Sequence, residues 1–483
     1  MLTSADIYTA VYKNNNLFGL ETASKSNLFH PKNRRPNSIA VVGGALGDEG
    51  KGRLTDELTA QFLKEHKKVI HYRDNGGSNA GHTVSVGKTH IALHQLGSGI
   101  LQPGCIVLLG KEMVIHPADL VSEILQVQKV SPKKQLPAEL QIDENAFLCL
   151  DVHRAFEQVL KEHSTGSSGA TGRGIAPAYA DVIYRHPLRM RNLFAKNWQE
   201  LVRKHVELYE RLVAGFGKKL AEILVPQLLG DPILVGSTDV QIERLDAARS
   251  VLKHYVHAVR QDLPALWESD TPFVFEKAQA LGLDKRWGVY PDVTASDCGY
   301  EGIFSSTEGV AHPSQIAVRA AAIKATYTSS VGSRKLPTDM ESTLAHRIRE
   351  DANEYGATTK RPRGIAYIDI PMLSYLMQTG QVEYLLLTHL DIAYPEVPIK
   401  VCTEYKIGKH VVPYRPDQAY LDTVTPTYVE LPSWDGAAAQ SATTPATLPK
   451  AALQYVAFLT QCLGVPPLWA TTGPKRHQTV RWF

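Results

Sequence analysis

The sequence is short of cysteine, of charge of one sign and of long apolar runs, and each shortage removes a class of function. Its 483 residues hold five cysteines, Cys105, Cys149, Cys298, Cys402 and Cys462, odd in number and without a C-x-x-C pair. A disulfide scaffold or a structural zinc site is therefore not expected, and a reducing, intracellular setting is. Lysine and arginine number 52 against 49 acids, a net of +3, which lacks the basic face that nucleic-acid binding requires. The longest apolar runs, such as Tyr384 to Leu387, fall far below the roughly 20 residues that span a bilayer. Lys13 and the asparagines Asn14 to Asn16 interrupt the place where a signal peptide would be apolar. Nor is there an internal repeat. These absences point to a soluble, cytoplasmic protein that binds neither membrane nor nucleic acid. What is present is 43% apolar and 21% charged residues, a globular composition with a sizeable core.

Residues 1–36 are polar, end in Pro31-Lys32-Asn33-Arg34-Arg35-Pro36 and read as a flexible N-terminal extension. From Ser38 the character changes. Ser38 to Val42 is an apolar run closed by Gly43-Gly44, as expected of a buried parallel strand. Leu54, Leu58 and Phe62 then recur at a spacing that lines one face of a helix. Further strands are expected at Val69 to Arg73, Cys105 to Leu109, Phe273 to Glu276 and Tyr384 to Thr388. Two long amphipathic stretches, Trp198 to Leu224 and Arg244 to Trp267, form a helical insertion over about 195–268 of a catalytic domain spanning 37–483. Strands alternating with helices give an α/β fold with a mainly parallel central sheet flanked by helices. Gly436 to Pro449, low in complexity, is expected to be a surface loop.

The most informative string is Gly43-Gly44-Ala45-Leu46-Gly47-Asp48-Glu49-Gly50-Lys51-Gly52-Arg53, set between an expected strand and an expected helix. Main-chain N–H groups at such a junction favour phosphate, and Lys51 adds a point charge. The loop is P-loop-like without being a Walker A motif. That motif needs glycine where Ala45 stands and a hydroxyl residue where Gly52 stands. With no hydroxyl ligand for magnesium, Asp48 is the obvious substitute, because Mg²⁺ prefers carboxylate oxygen.

Gly47-Asp48-Glu49-Gly50-Lys51-Gly52 resembles the signature of the adenylosuccinate synthetase family, and further strings agree with that family in order. They are Asn75-Gly76-Gly77-Ser78-Asn79-Ala80-Gly81-His82-Thr83, Thr171 to Tyr179 with Arg185 beyond it, and Glu276-Lys277-Ala278-Gln279 followed by Tyr290 to Thr294. Gly356 to Arg363, Thr388-His389-Leu390-Asp391 and Thr472-Gly473-Pro474 complete the series.

The resemblance implies GTP-dependent joining of IMP and L-aspartate through a 6-phosphoryl intermediate, with one Mg²⁺ per subunit. It places Asp48 as the base that removes the purine N1 proton, His82 as the acid toward the oxygen linking the β- and γ-phosphates, and Lys51 and Gln279 beside the transferring group. Asp48 and the carbonyl of Gly81 would hold the metal. Asn79, Thr171, Arg185, Gln279, Thr294 and Arg361 would bind IMP, with Arg185 reaching from the second subunit of a homodimer. Arg173, Val331, Thr358, Thr359 and Arg361 would hold aspartate. Gly47, Glu49, Gly50, Lys51, Gly52, Thr83, Arg363, His389, Asp391, Thr472 and Gly473 would bind GTP. A single carboxylate can accept both N1–H and the 2-amino group of guanine, which adenine cannot offer, so Asp391 favours GTP.

The chain departs from the family pattern at Ala45-Leu46, Lys277, Thr294-Ala295-Ser296-Asp297, Ser330, Lys360, His389 and Gly364. These changes cluster around the nucleotides, so an alternative purine nucleotide such as dGMP competes with IMP, although retention of Asp48 favours IMP. A GTP-binding homologue without catalysis would have had no need to keep Asp48, His82 and Gln279 together.

Overall fold

An apolar run without polar alternation suits a strand covered on both faces, and Ser38 to Val42 lies in the strand Arg35–Gly43, whose last six residues are buried. The computed structural model describes residues 34–86, 89–163, 171–331, 334–356 and 362–482. Its contacts divide the chain into two units, one of Met1–Leu54, Ala280–Tyr290 and Ser314–Phe483, the other of Thr55–Gln279 and Pro291–Pro313.

In the first unit Arg35–Gly43 pairs in parallel with Ile316–Lys324, which pairs with Tyr384–Thr388 and through it with Pro467–Thr471. Thr479–Arg481 closes this series antiparallel. The helices Ile370–Thr379 and Lys450–Leu463 turn apolar faces such as Leu373, Leu376, Val456 and Leu459 inward. The first begins where Asp369 accepts the Met372 N–H at 3.1 Å, and the second ends at Gly464, the left-handed residue that commonly stops helices.

The second unit repeats the pattern. Val69–Arg73, buried throughout, pairs in parallel with Phe273–Glu276 and with Cys105–Leu109. Glu139–Asp143 and Val256–His257 continue the sheet in parallel. The helices Pro117–Val130 and Asp151–His163 pack Leu120, Ile124, Val152 and Val159 into one cluster with Val107, Leu140 and Ile142. Truncating one such side chain to alanine costs about 2–5 kcal/mol. The fold is thus α/β, with mainly parallel sheet and flanking helices, as expected from the sequence.

Three details differ from the sequence reading. Arg35 and Pro36 belong to the first strand, and Arg34 is anchored to Glu383 at 2.5 Å, so the last residues of the expected extension are part of the first unit. The amphipathic stretch from Trp198 ends as a helix at Ala214, where Gly215 and Gly217 follow, and the stretch from Arg244 is two helices, Thr238–Leu252 and Val259–Glu268, parted by Val256–His257. That pair completes a sheet edge, a tertiary gain the helical period does not show. The expected loop at Gly436 to Pro449 opens with a helix, Gly436–Gln440, capped by Asp435.

Candidate active site

The loop after the first strand curls around its own acid. Ala45 and Gly47 donate their N–H groups to Glu49 Oε1 at 3.2 and 2.7 Å, and the Lys51 ammonium donates to Glu49 Oε2 at 2.9 Å. Glu49 and Lys51 are both buried. Two amides and one ammonium converging on a carboxylate make an anion cradle of the kind that takes phosphate at a helix N-terminus. Gly50, at φ +80° and pressed toward Thr388, lets the chain turn from this cradle into the helix Lys51–Phe62.

Asp48 projects from the same loop. Its Oδ2 lies 2.5 Å from Arg363 Nη2, and Arg363 Nη1 donates to Glu354 Oε2 at 2.8 Å. Buried Glu354 also binds Lys324 and accepts the Tyr327 hydroxyl at 2.5 Å. Burial pushes the Glu354 carboxyl up, but Lys324 and Arg363 outweigh it and hold it well below the usual range. Since Tyr327 donates to Glu354, the His389 Nδ1 at 3.3 Å from that hydroxyl is the N–H side of a neutral ring, an assignment made from the network. Burial, reinforced by Lys324, lowers His389 to about 4.

Close by in sequence, Asp391 accepts a hydrogen bond from Gln440 Nε2 at 3.1 Å, and burial raises its carboxyl. Leu390 donates to the Thr471 carbonyl at 3.0 Å, joining this turn to Thr472-Gly473. Arg53 fixes that second turn through the Gly473 and Gln478 carbonyls. The Thr472 hydroxyl is buried without a partner among the described residues. The first unit therefore gathers Gly47 to Gly52, Arg363, His389, Asp391, Thr472 and Gly473, with Val331 packed beside Gly47.

In the second unit His82 binds buried Glu276 through Nδ1. Glu276 also receives His71 Nε2 at 2.5 Å and the Ser98 N–H and hydroxyl at 2.8 and 2.6 Å. Burial raises its carboxyl, yet His82 and His71 together bring it well below the normal range, so it stays ionised. Gln279 Oε1 accepts from Ser296 at 3.0 Å, while its Nε2 is buried with no acceptor among the described residues. Asn75 clasps the strand end before it, accepting from the Ala278 N–H at 2.9 Å and donating to Ser296 at 3.1 Å. Asn79 accepts from Gly77 at 3.2 Å, and Gly81 lies next in the same loop, partly buried. Arg173 is buried, 3.9 Å from Asp119, and its Nη1 has no hydrogen bond among the described residues. Thr294 is partly buried, whereas Thr171 and Arg185 are exposed. Thr83 lies in the strand His82–Val86, and Thr358, Thr359 and Arg361 lie outside the described residues.

Backbone strain marks the same positions. Nine non-glycine residues among those described have positive φ, and four of them are Asp48, Arg185, Gln279 and His389. Each such conformation costs on the order of 1–3 kcal/mol and persists where the surrounding structure holds it; Arg185 is also the left-handed cap of the helix Ile175–Tyr184.

Sequence reasoning missed Glu276, Ser296, Glu354 and Gln440. The first three sit in or beside matched motifs, which is a signal of place without a role; Gln440 carries none. His153, Asp181 and His205 form a group spaced like metal ligands. However, His153 Nδ1 accepts the Leu150 N–H at 2.8 Å, so its Nε2 bears hydrogen and donates to Asp181 at 2.8 Å. Tyr209 fills the other Asp181 oxygen at 2.9 Å. The group is a closed hydrogen-bond network.

The sequence model of the family described as adenylosuccinate synthetase matches residues 40–480. The chain belongs to the adenylosuccinate synthetase family. It is 33% identical to the adenylosuccinate synthetase of Myxococcus xanthus over 92% of this chain and 98% of that one. It is 31% identical to that of Thermoplasma volcanium over 92% and 97%. The fully ligated adenylosuccinate synthetase of Plasmodium falciparum superposes with a TM-score of 0.81 at 27% identity, over 92% of this chain and all of that one. The succinoaminodeoxyadenylate synthetase of cyanophage S-2L, bound to dGMP and dATP, shares the fold at a TM-score of 0.55 and 18% identity, over 93% and 96% of the two chains. The protein is therefore a ligase of the adenylosuccinate synthetase type, acting in AMP biosynthesis.

Of the departures from the family pattern, Lys360 lies outside the described residues, and four others are accommodated locally. Lys277 is fully buried and paired with Asp74; Leu46 fills the core; Ser330 is buried and bonds the Val331 carbonyl at 3.2 Å. His389 is held by Tyr327 as described.

Proposed function

We propose that the protein joins IMP and L-aspartate at the expense of GTP, with Asp48 taking the purine N1 proton and Gln279 receiving the charge that develops on the 6-oxygen. The observation that carries this reading is the Gln279 amide, strained at positive φ and with a buried Nε2 that has no acceptor among the described residues. An unpaired buried donor costs about 1–3 kcal/mol unless a ligand pairs with it, and an oxyanion is the acceptor that benefits most. His82, oriented through Nδ1 by Glu276, presents its other ring nitrogen as the donor toward the bridging phosphate oxygen.

The anion cradle and Lys51 take GTP phosphates in place of Glu49, with Arg363 near the ribose or phosphates and Asp391, His389 and Thr472 at the base. Arg173, with a guanidinium nitrogen that has no hydrogen bond among the described residues, suits a carboxylate of L-aspartate, alongside Val331, Thr358, Thr359 and Arg361. Asn79, Thr171, Thr294 and Arg185 serve the IMP phosphate, the last from a neighbouring subunit of a cytoplasmic homodimer. Asp48 and the Gly81 carbonyl offer the hard oxygens that Mg²⁺ takes; the ion would neutralise charge between the β- and γ-phosphates. Since Arg363 holds Asp48, binding the ion would require Arg363 to yield part of that carboxylate.

The test is incubation with GTP, Mg²⁺, L-aspartate and either IMP or dGMP, following the succinyl product. IMP should react and dGMP should not; product from dGMP alone moves the assignment to the alternative nucleotide. Asp48→Ala should abolish turnover, and substantial activity in that variant removes Asp48 as the base.

A further inference from the structure

We propose that Gln440 reads the 2-amino group of the guanine base together with Asp391, making it a second determinant of triphosphate choice. The inference rests on Asp391 holding the base, as proposed above. The segment carrying Gln440 is built against the Asp391 turn at three points. Buried Trp434 donates its indole N–H to the Leu390 carbonyl at 2.9 Å. Gly436 runs so close that a side-chain carbon there would stand 2.0 Å from the Asp391 carbonyl oxygen, which only glycine permits. Gln440, at the end of the short helix Gly436–Gln440, then donates Nε2 to Asp391 Oδ2 at 3.1 Å.

That contact fixes the orientation of the amide. Ionised Asp391 is an acceptor only, so nitrogen faces it and the Gln440 Oε1 is the free acceptor beside it. The resulting edge offers two carboxylate oxygens and one amide oxygen. Guanine presents three hydrogens to match, one on N1 and two on the 2-amino nitrogen. Asp391 accepts N1–H and one amino hydrogen; Gln440 accepts the other. Hypoxanthine keeps N1–H and lacks the amino group, so it forfeits the Gln440 bond while retaining part of the Asp391 contact. Gln440 is exposed, so its Oε1 is open to a ligand.

The test compares kcat/KM for GTP and for inosine triphosphate, with saturating IMP, L-aspartate and Mg²⁺, in the wild type, Gln440→Leu, Gln440→Asn and Asp391→Asn. A neutral hydrogen bond corresponds to a change of about 2- to 10-fold. Gln440→Leu and the shorter Gln440→Asn should each reduce the GTP-over-inosine-triphosphate ratio by that factor, kcat/KM falling further for GTP than for inosine triphosphate. A purely structural role would lower both triphosphates equally, and that result overturns the proposal. If Asp391→Asn shrinks the ratio and neither Gln440 variant does, Gln440 alone is refuted. If Asp391→Asn leaves the ratio intact, the base-site assignment beneath it fails.

Discussion

Replacing Glu276 by glutamine keeps the size of the side chain and removes its charge, at a position where four donors converge. His71, His82 and both the N–H and hydroxyl of Ser98 point at its two oxygens. Glutamine has one acceptor oxygen and an amide group that would face donors. Each hydrogen bond to a charged acceptor contributes about 1.5–3 kcal/mol, and breaking a buried ion pair by altering one partner costs about 3–5 kcal/mol. Against a typical total stability of about 5–15 kcal/mol, Glu276→Gln should fold with a lower Tm. If His82 donates a proton in the rate-limiting phosphoryl transfer, losing its orienting carboxylate withdraws one charged hydrogen bond from the transition state. That corresponds to a fall in kcat of about 10- to 150-fold. The KM for L-aspartate should change little. Ser98→Ala serves as control, since it removes one donor from the same carboxylate without touching His82, and its kcat should stay near the wild-type value. The assay is steady-state formation of the succinyl nucleotide at a temperature well below both melting transitions. A folded Glu276→Gln enzyme with kcat within about 2-fold of wild type would refute the view that this carboxylate orients the acid.

Lys277→Ala should lower stability by about 3–5 kcal/mol in denaturant titrations, because Asp74, fully buried beside it, is left charged and unpaired. The double variant Lys277→Met with Asp74→Asn should recover most of that loss; no recovery would show that the ion pair is not the cause. His389 is held neutral with its pKa lowered to about 4 against an ordinary 6.5. The unfolded chain therefore takes up the proton first as pH falls from 6.5 to 4. Wild type should lose up to about 3 kcal/mol more stability than His389→Gln across that window, and parallel unfolding curves would contradict the neutral assignment. Arg185→Ala should raise the KM for IMP by about 10-fold or more, the loss of one charged phosphate contact, while the KM for GTP holds; an unchanged IMP KM removes Arg185 from that site.

Much of the protein was legible before any fold was known, because local chemistry fixes it. A strand buried on both faces must be apolar without alternation, which located Ser38 to Val42 within Arg35–Gly43, and Cys105–Leu109 and Tyr384–Thr388. A phosphate loop must have small residues and a lysine between strand and helix, which located Gly43 to Gly52. The motifs gave most of the candidate site by residue type. Local pattern could not show partnership across long separations. Glu276 meets His71 over 205 residues and Asp391 meets Gln440 over 49, and nothing in the intervening chain encodes either encounter. The same holds for Lys277 with Asp74, where a position expected to be glycine instead carries a charge that its environment neutralises. It holds too for Val256–His257, drawn into a strand by a sheet edge against the helical period around it. The sequence by itself determined which residues have the chemistry, since that is a property of side-chain type and spacing along the backbone. Only the tertiary structure decided which buried donor meets which acceptor, because hydrogen bonds and ion pairs depend on distances between segments that the chain brings together when its core forms.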